Sequence, residues 1–415
     1  MLTDLERRVI ERIDPARVVA WTQELVRIPS VPRPGLAEVE TAAARWVQAR
    51  CRELELETHF EYAAPGRPNV IAILPGASHA RTLMFEGHTD VVTEGDRALW
   101  RHDPFGAEIE NGRIYGRGAN DMKGGLCAAL AALAALRESG VRLSGDILLG
   151  ALADEEGLML GVKHFVERGW STRVTAAIIC EPEDNRLCIS QKGVMWVNVR
   201  TNGKMAHGAM PYTGVNPILH MAAFIRQVER LAAAEQARRG RDEFLGVPSF
   251  SPTRIHAPLS GEAETNNVIP SACQVTLDIR LIPGQSPAEI EAQLREIAAH
   301  LEKTDECFAV RRAEFTVLDA RPPTATSRAE PLVQTMESAY RDLFQRAPTY
   351  GGVPGSTDGT ILNARAGIPI VTCGPGDTRV QHQEDEYLDI DQLLEATKLY
   401  ALTAVRFLGT AGAED

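Results

Sequence analysis

The sequence predicts an α/β fold, because strand-like and helix-like segments alternate along its first half. Short apolar runs at 69–74, 82–85, 146–152 and 175–180 are typical of buried strands, and residues 17–27 carry apolar side chains at helical spacing. The length of 415 residues exceeds the roughly 250 to 300 at which a single hydrophobic core stops growing. We therefore expect a second domain.

The segment between Asp121 and Arg137 is rich in alanine and leucine and predicts a helix that is apolar on most sides. Such a helix should be buried against the sheet. Repeated strand-then-helix order predicts parallel strands joined by right-handed crossovers. The polar residues that follow each strand would then gather at one edge of the sheet.

The pattern changes near Lys192, where residues 194–200 alternate apolar and polar side chains, as in a strand with one open face. Helical spacing and strand-like runs then alternate in the order βαββαβ, which is typical of a ferredoxin-like α+β domain. The predicted helices are 218–237 and 287–301, and the remaining strands are 254–259, 272–281 and 308–317. A helix at 331–344 and a strand at 368–373 resume the α/β pattern. We expect a main domain in two parts, 1–191 and 313–415, with an inserted domain at 192–312.

Composition limits the partners of this chain. A formal charge of −12 opposes binding to nucleic acid, which requires clustered Lys and Arg. The longest apolar stretch, 126–136, is too short to span a bilayer, and the first residues lack the apolar core of a secretion signal. Seven cysteines without a Cys-x-x-Cys pair fit reduced thiols. We expect a cytoplasmic protein that binds neither membrane nor nucleic acid.

Several imidazole and carboxylate side chains follow the predicted strands or a glycine-rich turn. His88 follows 82–85, Glu156 follows 146–152 and Glu181 follows 175–180. In open α/β sheets, ligands bind beyond the carboxyl ends of the strands. Five residues are therefore candidate metal ligands: His88, Asp121, Glu156, Glu181 and His382.

These donors suit a pair of zinc ions, which bind nitrogen and oxygen atoms and keep a position open for water. His88 can bind through one ring nitrogen while Asp90, two residues later, holds the other. Asp121 can bridge two metals, because the glycines around it allow close approach. The same donors also accept Co²⁺ or Mn²⁺. Glu156 with His382 would complete one metal position, and Glu181 with His88 the other.

Glu155 is the candidate general base. Adjacent side chains at a strand end point in different directions, so Glu156 can bind metal while Glu155 faces the water between the metals. Metal binding lowers the pKa of water from about 15.7 towards 7, and a nearby carboxylate can accept its proton and pass it to a leaving amine. The sequence therefore indicates amide hydrolysis.

Taken in order, these motifs resemble those of the acetylornithine deacetylase, succinyl-diaminopimelate desuccinylase and glutamate-releasing carboxypeptidase family of di-zinc hydrolases. The resemblance covers nearly the whole chain and implies a mixed-sheet, zinc-exopeptidase-like catalytic domain with an inserted ferredoxin-like lid. It also implies two Zn²⁺ bridged by Asp121, with Glu155 as the base. The matching motifs are His88-Thr89-Asp90, Trp100, Asp103-Pro104-Phe105, Gly116-Arg117-Gly118, Asp121, Asp154-Glu155-Glu156, Glu181-Pro182, His207, Asn267-Val268-Ile269-Pro270, Asp278-Ile279-Arg280 and His382.

Inside the insert, the resemblance implies functional roles that spacing does not reveal. His207 matches a lid histidine that stabilises the tetrahedral oxyanion, often across a dimer interface, which implies a homodimer. Arg280 and Asn267 match residues that hold the carboxylate and backbone polar groups of the substrate. For Arg280, a plain ion pair with Asp278 is the alternative.

Two further segments concern the substrate. Gly355 and Ser356 match the start of a glycine-rich substrate loop. Thr360 follows that loop where some diamino-acid desuccinylases carry an arginine, so the chain departs from the family there. Arg379, three residues before His382, could supply a compensating positive charge.

The predicted function is hydrolysis of the amide bond of an N-acyl amino acid or a dipeptide-like substrate with a free carboxylate. Attack would come from metal-bound hydroxide, with Glu155 as the general base. One alternative is a hydrolytic deaminase of an aromatic or cyclic amine, which needs the same activated water. Another is a metal-stabilised binding protein without turnover, against which the complete set of ligands argues.

Overall fold

In the computed structural model, the described residues are 1–33, 35, 38–259, 265–304 and 312–411. The chain divides into two compact units. Unit 1 comprises Met1–Ile189, Thr326–Val353 and Thr357–Asp415, and unit 2 comprises Ser190–Ala325 and Pro354–Ser356.

The bounds of the elements are as follows. The α-helices among the described residues are α1 Asp4–Glu11, α2 Pro15–Val26, α3 Thr41–Glu53, α4 Gly124–Ser139, α5 Leu160–Glu167, α6 Pro217–Arg239, α7 Pro287–Thr304, α8 Pro331–Phe344, α9 Asp358–Ala366 and α10 Ile390–Leu408. Short helical turns lie at Arg97–Leu99, Ala119–Lys123, Trp170–Arg173 and Pro211–Thr213. The strands are β1 Glu57–Ala64, β2 Arg67–Leu74, β3 Thr82–His88, β4 Glu108–Glu110, β5 Arg113–Tyr115, β6 Asp146–Leu152, β7 Ala176–Pro182, β8 Leu187–Gln191, β9 Gly193–Asn202, β10 Ala206–His207, β11 Ser249–His256, β12 Val268–Ile269, β13 Ala272–Leu281, β14 Glu314–Arg321, β15 Thr324–Ala325, β16 Tyr350–Val353, β17 Ile370–Gly374 and β18 Tyr387–Asp389.

Unit 1 is built on a mixed sheet with the strand order β1-β2-β6-β3-β7-β17-β8, in which β16 also pairs with β8. Its centre is parallel, because β3 pairs in parallel with both β6 and β7, and β17 pairs in parallel with β7. β1, β2 and β6 pair antiparallel. Every residue of β3, β6 and β7 is buried, as their continuous apolar runs predict. The predicted α/β class with a mixed sheet is confirmed.

The buried helix predicted after Asp121 is α4, in which every residue from Gly124 to Leu136 is buried. It contacts β3, β6 and β7 as well as α10. A glycine is required at position 125, since a Cβ atom there would lie 1.9 Å from the carbonyl oxygen of Cys180 in β7. The glycine thus lets the start of α4 lie directly against the strand that carries Glu181.

Unit 2 contains a four-stranded antiparallel sheet with the order β11-β13-β9-β14. Along β9 and β13, buried residues alternate with half-buried ones, as the predicted pattern requires. Phe224 of α6 and Leu294 of α7 pack with Leu277 of β13 in one apolar core. A separate two-stranded pair joins β10 to β12.

The inserted segment extends beyond residue 312, where the sequence analysis ended it. β14 pairs with β9 over Glu314–Arg321, and unit 2 continues to Ala325. The boundary therefore needs correction, because the last strand of this sheet starts after residue 312. The first part of the predicted strand 308–317, up to residue 311, lies outside the described residues.

Among the described residues, no helix combines the length and apolar character needed to cross a membrane. The described cysteines are buried and form no disulfide: Cys51, Cys127, Cys180, Cys188, Cys273 and Cys373.

Candidate metal centre

Three neighbouring parallel strands of unit 1 place acidic and imidazole side chains at one edge of the sheet. His88 is the last residue of β3, and Glu181 lies near the end of the adjacent β7. β6 flanks β3 on its other side and ends at Leu152, just before the turn that carries Glu155 and Glu156. The strand order alone therefore brings these groups together.

Asp121 enters the same region from a glycine-rich loop. Gly118 adopts a φ of +86°, in the left-handed region that favours glycine, and the Asp121–Met122 peptide bond is cis. One carboxylate oxygen of Asp121, Oδ1, lies 3.3 Å from Nε2 of His88, and the other, Oδ2, lies 3.3 Å from Nε2 of His382. Each oxygen thus faces a different histidine, as a bridging carboxylate requires.

Two sets of three donors could each hold a metal ion, and the two sets share His88. Nε2 of His382 lies 2.9 Å from Oε1 of Glu156, and Nε2 of His88 lies 3.5 Å from Oε1 of Glu181. Donor atoms of His88, Asp121 and Glu156 all lie within 4.8 Å of one another. The same holds for a second set, formed by His88, Glu155 and Glu181.

The electrostatics of this cluster fit divalent cations. Burial, and then the charge of Glu181, raises the pKa of Glu155 well above its usual range. Burial together with Asp121 raises the pKa of Glu181 to about 8. Hydrogen bonds to Asp121 and Glu156 raise the pKa of His382 to about 10. These shifts show that the buried carboxylates are costly to ionise together, and two divalent cations would stabilise their ionised forms in place of protons.

Asp90 contacts this centre through both its main chain and its carboxylate. The main-chain oxygen of Asp90 lies 2.9 Å from Nδ1 of His88, whereas its carboxylate is 3.5 Å away. The carboxylate instead accepts the backbone N–H groups of Glu155 and Glu156, both at 3.1 Å. Asp90 therefore contacts one candidate ligand, His88, and fixes the turn that carries a second candidate ligand and the candidate base.

Sequence reasoning missed Glu386, which holds the Asp121 loop. This fully buried carboxylate accepts the N–H groups of Gly118, Asn120 and Asp121 at 2.9, 3.0 and 3.0 Å. Its other oxygen accepts a hydrogen bond from the buried guanidinium of Arg117. Glu386 lies four residues after His382, so it links the segment of one candidate ligand to the loop of Asp121, the candidate bridging ligand. No residue pattern marks this role.

The candidates of the insert lie in unit 2. His207 in β10 pairs with Val268 in β12, and the carbonyl of the adjacent Asn267 accepts the N–H of Gly208 at 2.6 Å. His207 is exposed, and its Nδ1 accepts the N–H of Ala209 at 3.0 Å. His207 and Asn267 are therefore neighbours within this unit.

Two candidate substrate arginines are engaged by nearby aspartates. Arg280 donates to both carboxylate oxygens of Asp278, at 2.7 and 3.0 Å, which is the ion pair considered as the alternative. Arg379 makes a similar contact with Asp377 while its side chain remains 86% exposed. Both guanidiniums are thus held in defined orientations. Gly355 and Ser356 belong to the short segment of unit 2 that precedes α9.

With this geometry described, comparison with known proteins identifies the family. The sequence profile of Peptidase family M20/M25/M40 matches residues 84–406, which is most of the chain. The chain belongs to this family. The M20 assignment confirms the predicted resemblance, and it makes the protein a metal-dependent hydrolase that acts on amide or peptide bonds.

Curated relatives span nearly the full length. Acetylornithine deacetylase of Myxococcus xanthus is 30% identical, with 94% of this chain and 97% of the relative covered. Succinyl-diaminopimelate desuccinylase of Rhodospirillum centenum is 28% identical, with 95% and 98% covered. A Bacillus subtilis deformylase of N-formyl-4-amino-5-aminomethyl-2-methylpyrimidine is 26% identical, with 95% of each covered.

Solved structures share the fold of this M20 protein. The M20 metallo-carboxypeptidase Sso-CP2 of Sulfolobus solfataricus superposes with a TM-score of 0.76 at 20% identity, covering 94% of this chain and 99% of the other. The YxeP protein of Bacillus subtilis, described as a dinuclear metal-binding peptidase, gives a TM-score of 0.69 at 17% identity, with 96% and 99% covered. The two donor sets that share His88, with Asp121 between His88 and His382, suit a dinuclear centre.

Proposed function

We propose that this M20 hydrolase is a di-zinc amidohydrolase that removes the acyl group from an N-acyl amino acid or cleaves a dipeptide-like amide with a free carboxylate. The observation that carries the proposal is the placement of the two oxygens of Asp121 opposite His88 and His382. Glu155 lies beside this bridge, with a donor atom within 4.8 Å of those of His88 and Glu181. Two of the compared relatives are named for the removal of acyl groups from amino acids.

The metals would be held by His88, Asp121, Glu156, Glu181 and His382. When bound, such a pair supplies a water of lowered pKa and polarises the scissile carbonyl. Glu155 would accept a proton from the attacking water and deliver it to the leaving nitrogen, which departs as an amine. Glu155 is 9% exposed, and a carboxylate in such a buried position retains the proton between these two transfers.

Unit 2 supplies all the remaining proposed roles but one, since Arg379 lies in unit 1. His207 stabilises the oxyanion that forms as water adds to the carbonyl, and Arg280 binds the free carboxylate of the substrate. Asn267 binds polar groups of the substrate backbone, while Gly355, Ser356 and Arg379 complete the substrate contacts. The orientation that Asp278 gives Arg280 supports its role, because a guanidinium with little freedom to lose binds a carboxylate at lower entropic cost.

The six described cysteines, which are buried and form no disulfide, support a reducing, cytoplasmic location. A homodimer through unit 2 is supported by β11, the edge strand of its sheet, in which every residue from Ser251 to His256 is exposed. An unpaired edge strand can pair with a second copy of the chain through its free backbone groups, and Pro252 and the bulge that follows it confine such pairing to part of β11.

The test is hydrolysis by the zinc-loaded protein of a panel of N-acetyl, N-succinyl and N-formyl amines and dipeptides. Release of a carboxylic acid together with an amine supports the proposal, whereas release of ammonia from an aromatic or cyclic amine favours the deaminase alternative.

Glu155→Gln should retain two metals per chain and lose nearly all turnover. Glu167→Gln, an exposed change in α5, is the matched control. Substantial activity in Glu155→Gln would refute the assigned base.

A further inference from the structure

A buried ion-pair network lies behind the turn that carries Glu155. Arg67, at the start of β2, places Nη1 2.8 Å from Oε1 of Glu40 and 3.0 Å from Oδ1 of Asp154. Glu40 is fully buried, Asp154 is 5% exposed, and the side chain of Arg67 is 16% exposed. Arg67 thus supplies positive charge between two carboxylates that would otherwise repel each other away from water.

Each of these two carboxylates is connected to Glu155, Glu40 through hydrogen bonds and Asp154 through the chain itself. The second oxygen of Glu40 accepts the hydroxyl of Thr89 at 2.8 Å, and Thr89 precedes Asp90. Asp90 accepts the backbone N–H of Glu155 at 3.1 Å. On the other side, Asp154 directly precedes Glu155 in the chain.

The contact with Arg67 helps to hold the backbone of Asp154 in an uncommon conformation. Its φ of +64° lies in the left-handed region, which is unfavourable for a residue other than glycine. Its Oδ2 accepts the N–H of Leu158 at 3.1 Å, which closes the turn around Glu155 and Glu156. Contact with Arg67 holds the carboxylate of Asp154 in the position that this turn requires.

We propose that Arg67 and Glu40 are positioning residues for Glu155. Together with Thr89, Asp90 and Asp154, they close a ring of contacts around the base, which we call the base ring. The inference rests on the proposed role of Glu155 in proton transfer. Buried ion pairs add little net stability, but a base must be held within a narrow range of distance and orientation. The base ring holds the backbone of Glu155 in place and so restricts the position of its carboxylate.

The test compares Arg67→Met with Arg406→Met. Arg406 is a matched control, because its side chain is also 16% exposed and it also contacts two carboxylates, Oε1 of Glu6 at 2.7 Å and Oδ2 of Asp342 at 2.8 Å. These contacts join α1, α8 and α10 and include no residue of the metal centre. Both variants should lower the melting temperature, so loss of stability alone does not separate them.

Only Arg67→Met should lower kcat, by about 10- to 100-fold, as expected for a group that orients a catalytic residue indirectly. KM should stay within about twofold, and zinc titration should still give two metals per chain. Arg67→Lys should recover most of kcat, because both contacts of Arg67 are made by one nitrogen, which a single ammonium can replace. Equal kcat in the two methionine variants, or loss of metal in Arg67→Met, would overturn the inference.

Hydrogen exchange provides a readout that does not depend on turnover. Peptides covering residues 153–158 should exchange faster in Arg67→Met than in the unaltered protein, and should be unchanged in Arg406→Met. Unchanged exchange in both variants would contradict the base ring.

If Glu155→Gln remains active, the proposed base is wrong. If Glu155→Gln is inactive and Arg67→Met resembles Arg406→Met, only the positioning role fails.

Discussion

His382 and Glu156 are separated by 226 positions in the sequence, yet Nε2 of the histidine lies 2.9 Å from Oε1 of the glutamate. Asp121 also contacts this ring nitrogen, at 3.3 Å. The segment after unit 2 is thereby brought onto the turn that follows β6. A metal bound at this position would join two distant parts of unit 1 through its ligands.

Metal removal should therefore destabilise the fold as well as abolish turnover. Binding to the native state alone adds about 4 kcal/mol when free metal exceeds its dissociation constant 1,000-fold. The chelated protein should melt at a lower temperature, and zinc should restore the original value. Magnesium is the control, because it prefers all-oxygen octahedral sites and should restore little. An unchanged melting temperature after complete chelation would argue against a metal centre with ligands from both segments.

Glu386→Ala should destabilise unit 1 by about 3 to 5 kcal/mol, because it leaves the buried guanidinium of Arg117 and three backbone N–H groups without their acceptor. Urea unfolding measures this loss. Metal affinity should also fall, since one of those N–H groups belongs to Asp121. Glu384→Ala, an exposed change in the same segment, is the control and should alter neither quantity.

The sequence predicts those helices and strands whose apolar residues recur at a regular spacing. Strand β13 and helix α8 have the bounds expected from their apolar periodicity, Ala272–Leu281 and Pro331–Phe344. Glu386 was not predicted, because a buried acceptor for an N–H group 265 positions away leaves no periodic signal. Arg67 was missed for the same reason.

The contacts of Asp90 show a different limit. Its sequence spacing from His88 correctly indicated proximity to the histidine ring. Spacing did not reveal that the main-chain carbonyl is closer to the ring than the carboxylate, or that the carboxylate binds the backbone of Glu155 and Glu156. Those contacts depend on how the turns after β3 and β6 fold against each other.

Gly125→Ala should destabilise the protein despite the higher helix propensity of alanine. In an exposed helix this change would add about 0.8 to 1 kcal/mol of stability. Here the new Cβ would lie 1.9 Å from the carbonyl oxygen of Cys180, and overpacking of this kind costs about 1 to 3 kcal/mol or more. Urea unfolding decides between the two effects by the sign of the change. Increased stability would show that α4 can move away from β7 at little cost.

Ile255→Lys should convert the proposed dimer to a monomer. Ile255 is 55% exposed on the edge strand β11, where a lysine opposes strand pairing between copies. Sedimentation velocity of the unaltered protein should give a dimer. Ile109→Lys is the control, because Ile109 is similarly exposed, at 48%, on β4 of unit 1. A dimer that persists in Ile255→Lys would exclude this edge as the interface.

His207→Ala should reduce kcat by about 100- to 1,000-fold, the usual effect of removing one donor to a developing oxyanion. Two metals per chain should remain, because His207 belongs to unit 2 and all five proposed ligands belong to unit 1. His300→Ala removes another exposed histidine of unit 2, from α7, and should leave kcat unchanged. Retained activity in His207→Ala would remove the oxyanion role. Loss of metal would instead indicate that His207 acts on the centre itself, so metal content and kcat must be measured on the same preparation.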